Sequence, residues 1–446
     1  MKQIQQILII TALPFRKQGN QSLMRFVKMF LARGIKVNMF TSGSDQRGEN
    51  ILEDQNFTFK SIISTRDWFF SNLRKIGRTL KRFIRGKNPV ATTIDNTDGN
   101  NYYQQIKSET ITPPYGRHNC ITLITRWTFF LFGLVDNIFV FFYLALFYYK
   151  TIKNSEIIVG YEHAYSFASK WIARMFNKKY INKFQGVVSL KACHENISDC
   201  KKYYPYSYFG LLSSDLCIMV NDGTNGIFYA RERGCKNIYF EPHGVSDSEY
   251  SETYDGNINL NKYAGKFIIF NNASNSKLKR VDRVVRPLQY LAPNIREKVV
   301  VITTYHAEDI EILKNYARNM GVSDCILFMD RLNHKDSNYI LKNSQLSFMT
   351  NEVSNLGNPV LESIYYNIPV LTLDDESTKG FLSDGVDGFI IKLDEQYDYN
   401  VANVITKLVE DKEYYKRIKD NLKANRSVNN IKTQQEKEFA AISEIL

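Results

Sequence analysis

Apolar and polar positions along the chain fall into two series of short apolar runs separated by stretches of helical spacing. Residues 7–13 are almost wholly apolar and stop at Pro14. After a Gly19-Asn20 turn, Leu23, Phe26, Val27, Phe30 and Leu31 recur at three- and four-residue intervals, the mark of one helical face. Arg33-Gly34 ends that helix and residues 36–41 read as a strand, so the chain opens on a βαβ unit with a right-handed crossover. Between about residues 45 and 120 the pattern weakens. Further strands are predicted at 156–162, 180–186, 216–222 and 237–242. A polar stretch at 246–261 reads as a linker. Beyond it, apolar runs at 267–270, 299–303, 325–329, 346–349, 370–373 and 389–393 alternate with helical sequence in a cleaner βαβ series. From Tyr414 onward the sequence is charged and helical, with no strand signal. The expectation is an α/β protein of two domains, since 446 residues exceed one ordinary core. A first domain would span 1–250, with an insertion at about 60–150, and a second 260–425. Residues 426–446 would form a helical tail.

Composition adds a partner class. With 44% apolar and 23% charged residues the chain is globular, and its net charge of +12 calls for an acidic partner. Aromatic residues concentrate near 127–149 and 203–209, which favours a membrane or interface role over nucleic acid. Residues 127–149 are nearly unbroken apolar sequence between Arg126 and Lys150, long enough to span a bilayer. A single crossing would put strands of one sheet on opposite sides of the membrane, and Asp136-Asn137 would be costly in lipid. The readings are a helix lying in the interface, a buried or dimer-forming helix, and a re-entrant or spanning segment. Arg74, Lys75, Arg78, Lys81, Arg82, Arg85 and Lys87 alternate with apolar residues as in a basic amphipathic helix. Together these point to peripheral attachment at the anionic inner face of the cytoplasmic membrane. The N-terminus lacks the order of a signal peptide, so a cytoplasmic location is expected. The six cysteines show neither C-x-x-C nor zinc-ligand spacing and are expected to be reduced and structural. No D-x-D triplet is present, so no metal is expected on a diphosphate.

One segment carries candidate chemistry. Ser354, Asn355, Leu356, Gly357 and Asn358 form a polar turn after the 346–349 strand, and Pro359, Val360 and Leu361 open a helix bearing Glu362. A loop feeding a helix N-terminus offers backbone N–H groups and a positive dipole end, which suit a diphosphate, and Glu362 could accept from ribose hydroxyls. The plainer alternative is a capped helix with Pro in its first turn. In the first domain, Glu162 and His163 lie at a strand end facing the cleft, as candidate catalytic or acceptor-positioning groups. A packed or surface histidine is the alternative there. His118, His194, His306 and His334 have no comparable setting.

Residues 354–362, continuing to Pro369-Val370-Leu371, resemble the donor-site motif of glycosyltransferase family 4. Asp384-Gly385-Val386-Asp387-Gly388-Phe389 is similar to the family's Asp-Gly-x-x-Gly-Phe turn, and Lys279-Arg280-Val281-Asp282-Arg283 to its Lys-Arg/Gly-Val-Asp segment. Gly19-Asn20 stands in place of its Gly-Gly loop, and Pro242-His243-Gly244-Val245 in place of Pro-Asn-Gly-Val. The resemblance implies a GT-B fold of two Rossmann-like domains and a nucleotide-sugar donor, with no further cofactor. It also implies a glycan or lipid-linked acceptor, retention of anomeric configuration and a role in surface polysaccharide synthesis. The donor site would comprise Gly19, Asn20, Lys279, Arg280, Arg331 and residues 354–358, with Val360, Leu361 and Glu362. Two positions depart from the family. Ser354 replaces the first Glu of its paired-Glu motif, and the Arg expected before Lys279 falls near Ala273-Ser274. Asn355 or Asn358 could then supply hydrogen bonds, and Arg280 or Arg331 charge. The competing readings are a nucleotide-sugar-binding subunit of low activity and a nucleotide-sugar epimerase on the same scaffold. An oxidoreductase is disfavoured because no G-x-G-x-x-G follows the first strand.

Overall fold

The computed structural model describes residues 4–13, 15, 21–42, 52–62, 120–191, 193–245, 254, 256–273, 279–305 and 307–446. The basic stretch at 74–87 and the Gly19-Asn20 turn lie outside the described residues. Strands β1 (Gln6–Thr11), β2 (Lys36–Ser42), β3 (Phe57–Ile62), β4 (Ile157–Tyr161), β5 (Lys179–Phe184), β6 (Leu216–Val220) and β7 (Ile238–Glu241) pair in parallel in the order 3-2-1-4-5-6-7. Strands β8 (Phe267–Asn271), β9 (Val299–Thr304), β10 (Ile326–Met329), β11 (Leu346–Phe348), β12 (Val370–Leu373) and β13 (Phe389–Ile391) form a second parallel sheet, order 10-9-8-11-12-13. Both central strands, β1 and β8, are wholly or almost wholly buried, as a sheet covered by helices on both faces requires. Strand order reverses between β1 and β4 and again between β8 and β11, and ligand crevices form at the carboxyl ends of such pairs.

The helices used below are α1 (Gln21–Leu31), α2 (Cys120–Phe147), α3 (Tyr149–Asn154), α4 (Ser166–Met175), α5 (Val188–Lys191), α6 (Ile197–Tyr203) and α7 (Pro205–Gly210) in the first domain. In the second half follow α8 (Ala307–Asn319), α9 (His334–Lys342), α10 (Asn358–Tyr365), α11 (Tyr397–Glu410), α12 (Lys412–Ala424) and α13 (Ile431–Ser443).

Two segments read as an insertion and a tail pack on the first sheet. The expected insertion at about 60–150 is partly core: β3 extends the first sheet at its edge, and α2 and α3 bury Val140, Leu144 and Ile152 against Leu8, Ile10 and Ile158. The physical reason is that the β3-to-β4 connection must cover one face of the sheet. In α2, Asn137 lies inward, where its amide donates to the Ala164 carbonyl (2.7 Å) and accepts from the Ala168 N–H (2.8 Å) at the start of α4. A polar residue that was costly in lipid is satisfied here by protein. The tail at 426–446 likewise does not stand apart. Helix α13 crosses back to the first domain, placing Phe439 and Ile442 against the core that holds Ile9 and Phe30, and Lys183 pairs with Glu438. Cys193, Cys200, Cys217, Cys235 and Cys325 are buried thiols.

Candidate active site in the interdomain cleft

The second domain contributes residues 349–357 after β11. Asn355 is fully buried and holds this loop together. Its side-chain oxygen accepts from the Asn351 N–H (2.7 Å), its amide donates to Asp375 (3.0 Å), and its own N–H donates to Ser377 Oγ (2.8 Å). Its hydrogen-bonding capacity is therefore spent inside the loop. Leu356, Val360 and Leu361 are buried apolar anchors, whereas Asn358 is exposed at the first position of α10, after Gly357 as N-cap. They fix the helix N-terminus at the crevice between β8 and β11.

Glu362, one turn into α10, is largely buried, and its Oε1 lies 3.5 Å from Nε2 of His334. His334 opens α9, whose N-cap Asn333 accepts from the Asp336 N–H (2.8 Å). Asn338 lies 2.7 Å from His334 Nδ1, and a donating amide there leaves the ring proton on Nε2, toward Glu362. Sequence reasoning passed over His334. Its one local signal, the Asn-His-x-Asp capping pattern after β10, announces a helix start and no ligand.

The cations divide. Arg280, at φ 48, donates to both oxygens of Asp282 (2.9 Å each) and to Glu352 (2.9 Å), which also pairs with Arg283. This network ties the segment after β8 to the loop after β11, so the Arg280 guanidinium serves structure. Lys279 is mostly buried, and burial pushes its ammonium below the usual lysine range. Among the described residues it has no ion-pair partner in the same loop network. Arg331 is exposed just beyond β10. Asp384 and Asp387 accept from the N–H groups of Ile390 (2.8 Å) and Ser383 (2.6 Å), so the Asp-Gly turn is a structural lead into β13.

From the first domain, Glu162 follows β4 in a left-handed backbone conformation (φ 65) and its Oε1 accepts from the Gln185 N–H (2.8 Å). Burial pushes its carboxyl up to about 7, against the opposing pull of that hydrogen bond and of Lys183, with Asp222 adding a further rise. Asp222, beyond β6, lies over Gly186, where a Cβ would come within 1.9 Å of its Oδ2; the φ of 127 there also demands glycine. Its Oδ1 accepts from the Thr224 N–H (3.0 Å), and burial raises its pKa as well. The two carboxyls thus flank the Gln185-Gly186 turn. Asp222 went unnoticed in the sequence, because only the strand order β4-β5-β6 brings it beside Glu162. His163 packs its ring 4.7 Å from that of Phe184, its Nδ1 is buried without a partner, and burial lowers it to about 4, so it is neutral near pH 7. His243, buried near Lys183 and Arg25, is lowered to about 3 by the same cause.

The two halves meet at this point. Ser354 Oγ donates to the main-chain carbonyl of Asp222, and Lys191 Nζ donates to the Val353 carbonyl and lies 3.4 Å from Asp375. Gly223 (φ 77) packs so closely on Ser377 and Leu356 that a Cβ would come within 2.5 Å of the first. Ser354 therefore links the loop after β11 to the carboxyl pair. Among the described residues no three His, Cys, Asp or Glu side chains converge as a metal site.

Residues 257–425 match the family model described as glycosyl transferases group 1. No curated protein matches the chain. Among solved structures, HepE from Anabaena in complex with UDP is similar over 98% of this chain and 100% of its own, with TM-score 0.63 and 12% identity. The same protein was also solved with UDP-glucose. Sucrose-phosphate synthase from Thermosynechococcus elongatus gives TM-score 0.61 at 10% identity over 99% of both chains. WaaG, a glycosyltransferase involved in lipopolysaccharide biosynthesis, gives 0.54 at 14% identity over 98% of both. Residues 257–425 thus form a glycosyl transferases group 1 domain, and the two parallel sheets have the GT-B fold of these structures.

Proposed function

We propose that the chain transfers a sugar from a nucleotide-sugar donor to a glycan or lipid-linked acceptor, with retention at the anomeric carbon, in surface polysaccharide assembly. The observation that carries this reading is the bond from Ser354 to Asp222, which brings the donor-side loop of one sheet against a buried carboxyl pair of the other. In this reading Glu362 accepts from the ribose hydroxyls, with His334 alongside. Lys279 and the N-terminus of α10 take the diphosphate charge, in place of a metal ion. Glu162, with a pKa of about 7, exchanges a proton near neutrality, and the neutral His163 orients the acceptor. The UDP and UDP-glucose complexes of HepE support a nucleotide-sugar donor.

Peripheral attachment to the anionic inner face of the cytoplasmic membrane belongs to the same proposal. Helix α2 is long and apolar enough to cross a membrane by composition. One side of it is buried in the first domain, while Ile124, Leu131, Val135, Ile138, Phe142 and Leu146 stand 47–72% exposed at helical spacing. A stripe of that kind suits immersion at the interface.

A panel of nucleotide sugars, offered with a lipid-linked acceptor in anionic vesicles, tests the reading. Donor-dependent transfer that survives excess chelator is the expected result, and loss of transfer restored by magnesium would overturn metal independence. Donor turnover without acceptor would point instead to an epimerase. A second reading, a nucleotide-sugar-binding subunit of low activity, draws on Ser354, whose hydroxyl is engaged by Asp222 where the family carries a glutamate. Tight UDP binding with no transfer to any acceptor would favour it.

A further inference from the structure

Asp375, just beyond β12, gathers hydrogen bonds from both halves of the molecule. Its Oδ1 accepts from the N–H (3.0 Å) and the hydroxyl of Ser377, across Glu376, whose φ of 62 is left-handed. Its Oδ2 accepts from the Asn355 amide (3.0 Å) and lies 3.4 Å from Nζ of Lys191, the last residue of α5. Ser377 Oγ in turn accepts from the Asn355 N–H (2.8 Å), and the Asn355 side chain holds Asn351 at its N–H (2.7 Å) and its carbonyl (3.3 Å). Asn355 and Ser377 are buried, so these bonds shape the loop at 351–357 from its inner side. All of these groups but Lys191 belong to the second domain. Among the described residues Lys191 is also the one cation paired with Asp375. Its ammonium donates to the Val353 carbonyl as well, and it attracts the Asp222 carboxyl of its own half.

We infer that Lys191 and Asp375 form a positioning pair: the ammonium of one half, arriving as the cleft closes, fixes the carboxylate that shapes the 351–357 loop of the other. Where it concerns donor binding, this rests on the transfer reading above. The Asp375 side chain is only 20% exposed, and a carboxylate so placed is costly without a counter-charge, a cost that neutral donors offset in part. With the cleft open, Asp375 has no cation and gains by turning toward water. Oδ2 is common to Lys191 and Asn355, so that turn takes the acceptor away from Asn355, and with it the brace of the left-handed Glu376. The 351–357 loop leads into α10, so the pair also sets where that helix N-terminus and Glu362 stand.

Hydrogen exchange on the full-length protein, read by mass spectrometry, tests the pair without any substrate. Lys191→Met keeps an unbranched stem and removes the charge. Amides of 351–357 should then exchange about tenfold faster, while those of α11, in the same domain, stay as they were. Lys191→Arg should keep the slow exchange to within about twofold. In an Asp375→Asn background Lys191→Met should add nothing, which is the non-additivity of a coupled pair. UDP, titrated calorimetrically, should bind Lys191→Met about tenfold more weakly, although Lys191 lies in the half opposite Glu362. Loop exchange unmoved by Lys191→Met, or effects of the two substitutions that simply add, would overturn the inference. So would faster exchange throughout the second domain, α11 included, which marks general loosening. UDP failing to bind the unaltered protein would count against the transfer reading instead, and the exchange result would still decide for or against the pair.

Discussion

Ser354 shows how one residue can serve two masters in a cleft. Its hydroxyl donates to the Asp222 carbonyl, close to a carboxyl that burial already disfavours as an anion. Ser354→Glu, which installs the glutamate of the motif this loop resembles, would place a second carboxylate there. The expected outcome is at least a tenfold fall in kcat, since a lost hydrogen bond costs about 1 kcal/mol and like-charge juxtaposition adds to it. UDP affinity should stay within about threefold, as read by calorimetry. Glu362→Ala should do the reverse. Removing a hydrogen bond to a charged group costs about 1.5–3 kcal/mol, so UDP binding should weaken about ten- to hundredfold. Glu162 adds a pH dependence whose sign follows from proton linkage. Its pKa rises on folding from the usual 4.5 to about 7, so the folded state holds the proton more tightly and stability falls as pH rises between those values. Glu162→Gln should therefore raise the melting temperature at pH 8 and leave it nearly unchanged at pH 4. If Glu162 moves the proton in transfer, the same change should also lower kcat about 10²-fold or more. These roles were unevenly legible. Glu362 and Lys279 sit in local motifs, but the His334–Glu362 approach and the Glu162–Asp222 pairing arise from strand order, which a linear pattern does not contain.

At the level of elements, the second sheet was legible almost to the residue, because its buried parallel strands are unmixed apolar runs with turns between them. β3 was not. It is an edge strand, Phe57-Thr58-Phe59-Lys60-Ser61-Ile62, with most of its positions partly or fully exposed, so no apolar run marks it. In α2 the difficulty is the opposite: apolar residues surround the helix, and periodicity cannot tell the face that packs from the face that does not. The structure separates them, and substitutions can exploit the separation. Leu144→Ala, at a fully buried position, should cost about 2–5 kcal/mol in chemical denaturation. Ile138→Glu with Phe142→Glu, on the exposed stripe, should leave stability within about 0.5 kcal/mol per site. The same pair should reduce sedimentation with anionic liposomes severalfold if α2 meets the membrane. Full retention of the double variant on vesicles would count against that orientation.

On the scale of the whole molecule, the chain passes between the two sheets twice, once through the segment after β7 and once through the turn into α13. Val245 bridges to Asn430, so the two passages run side by side. That leaves relative motion of the halves governed by a paired strap, with Ser354 and Lys191 closing the far side of the cleft. Lys183, 3% exposed, relies on Glu438 of α13 for its counter-charge. Glu438→Ala would strand a buried ammonium, a change that costs about 3–5 kcal/mol, and should lower the thermal midpoint well below that of an exposed-site control.

The return of α13 also has a meaning for synthesis. Phe439 and Ile442 belong to the core around Ile9 and Phe30, yet the ribosome makes them after the entire second domain. The first half of a nascent chain thus waits, with an apolar face uncovered, until some two hundred further residues have emerged. Domains usually fold in the order in which they are made. Here the second is free to settle first, and the last helix then completes the first, so a chain cut short before α13 would leave behind a finished second domain and an unfinished first.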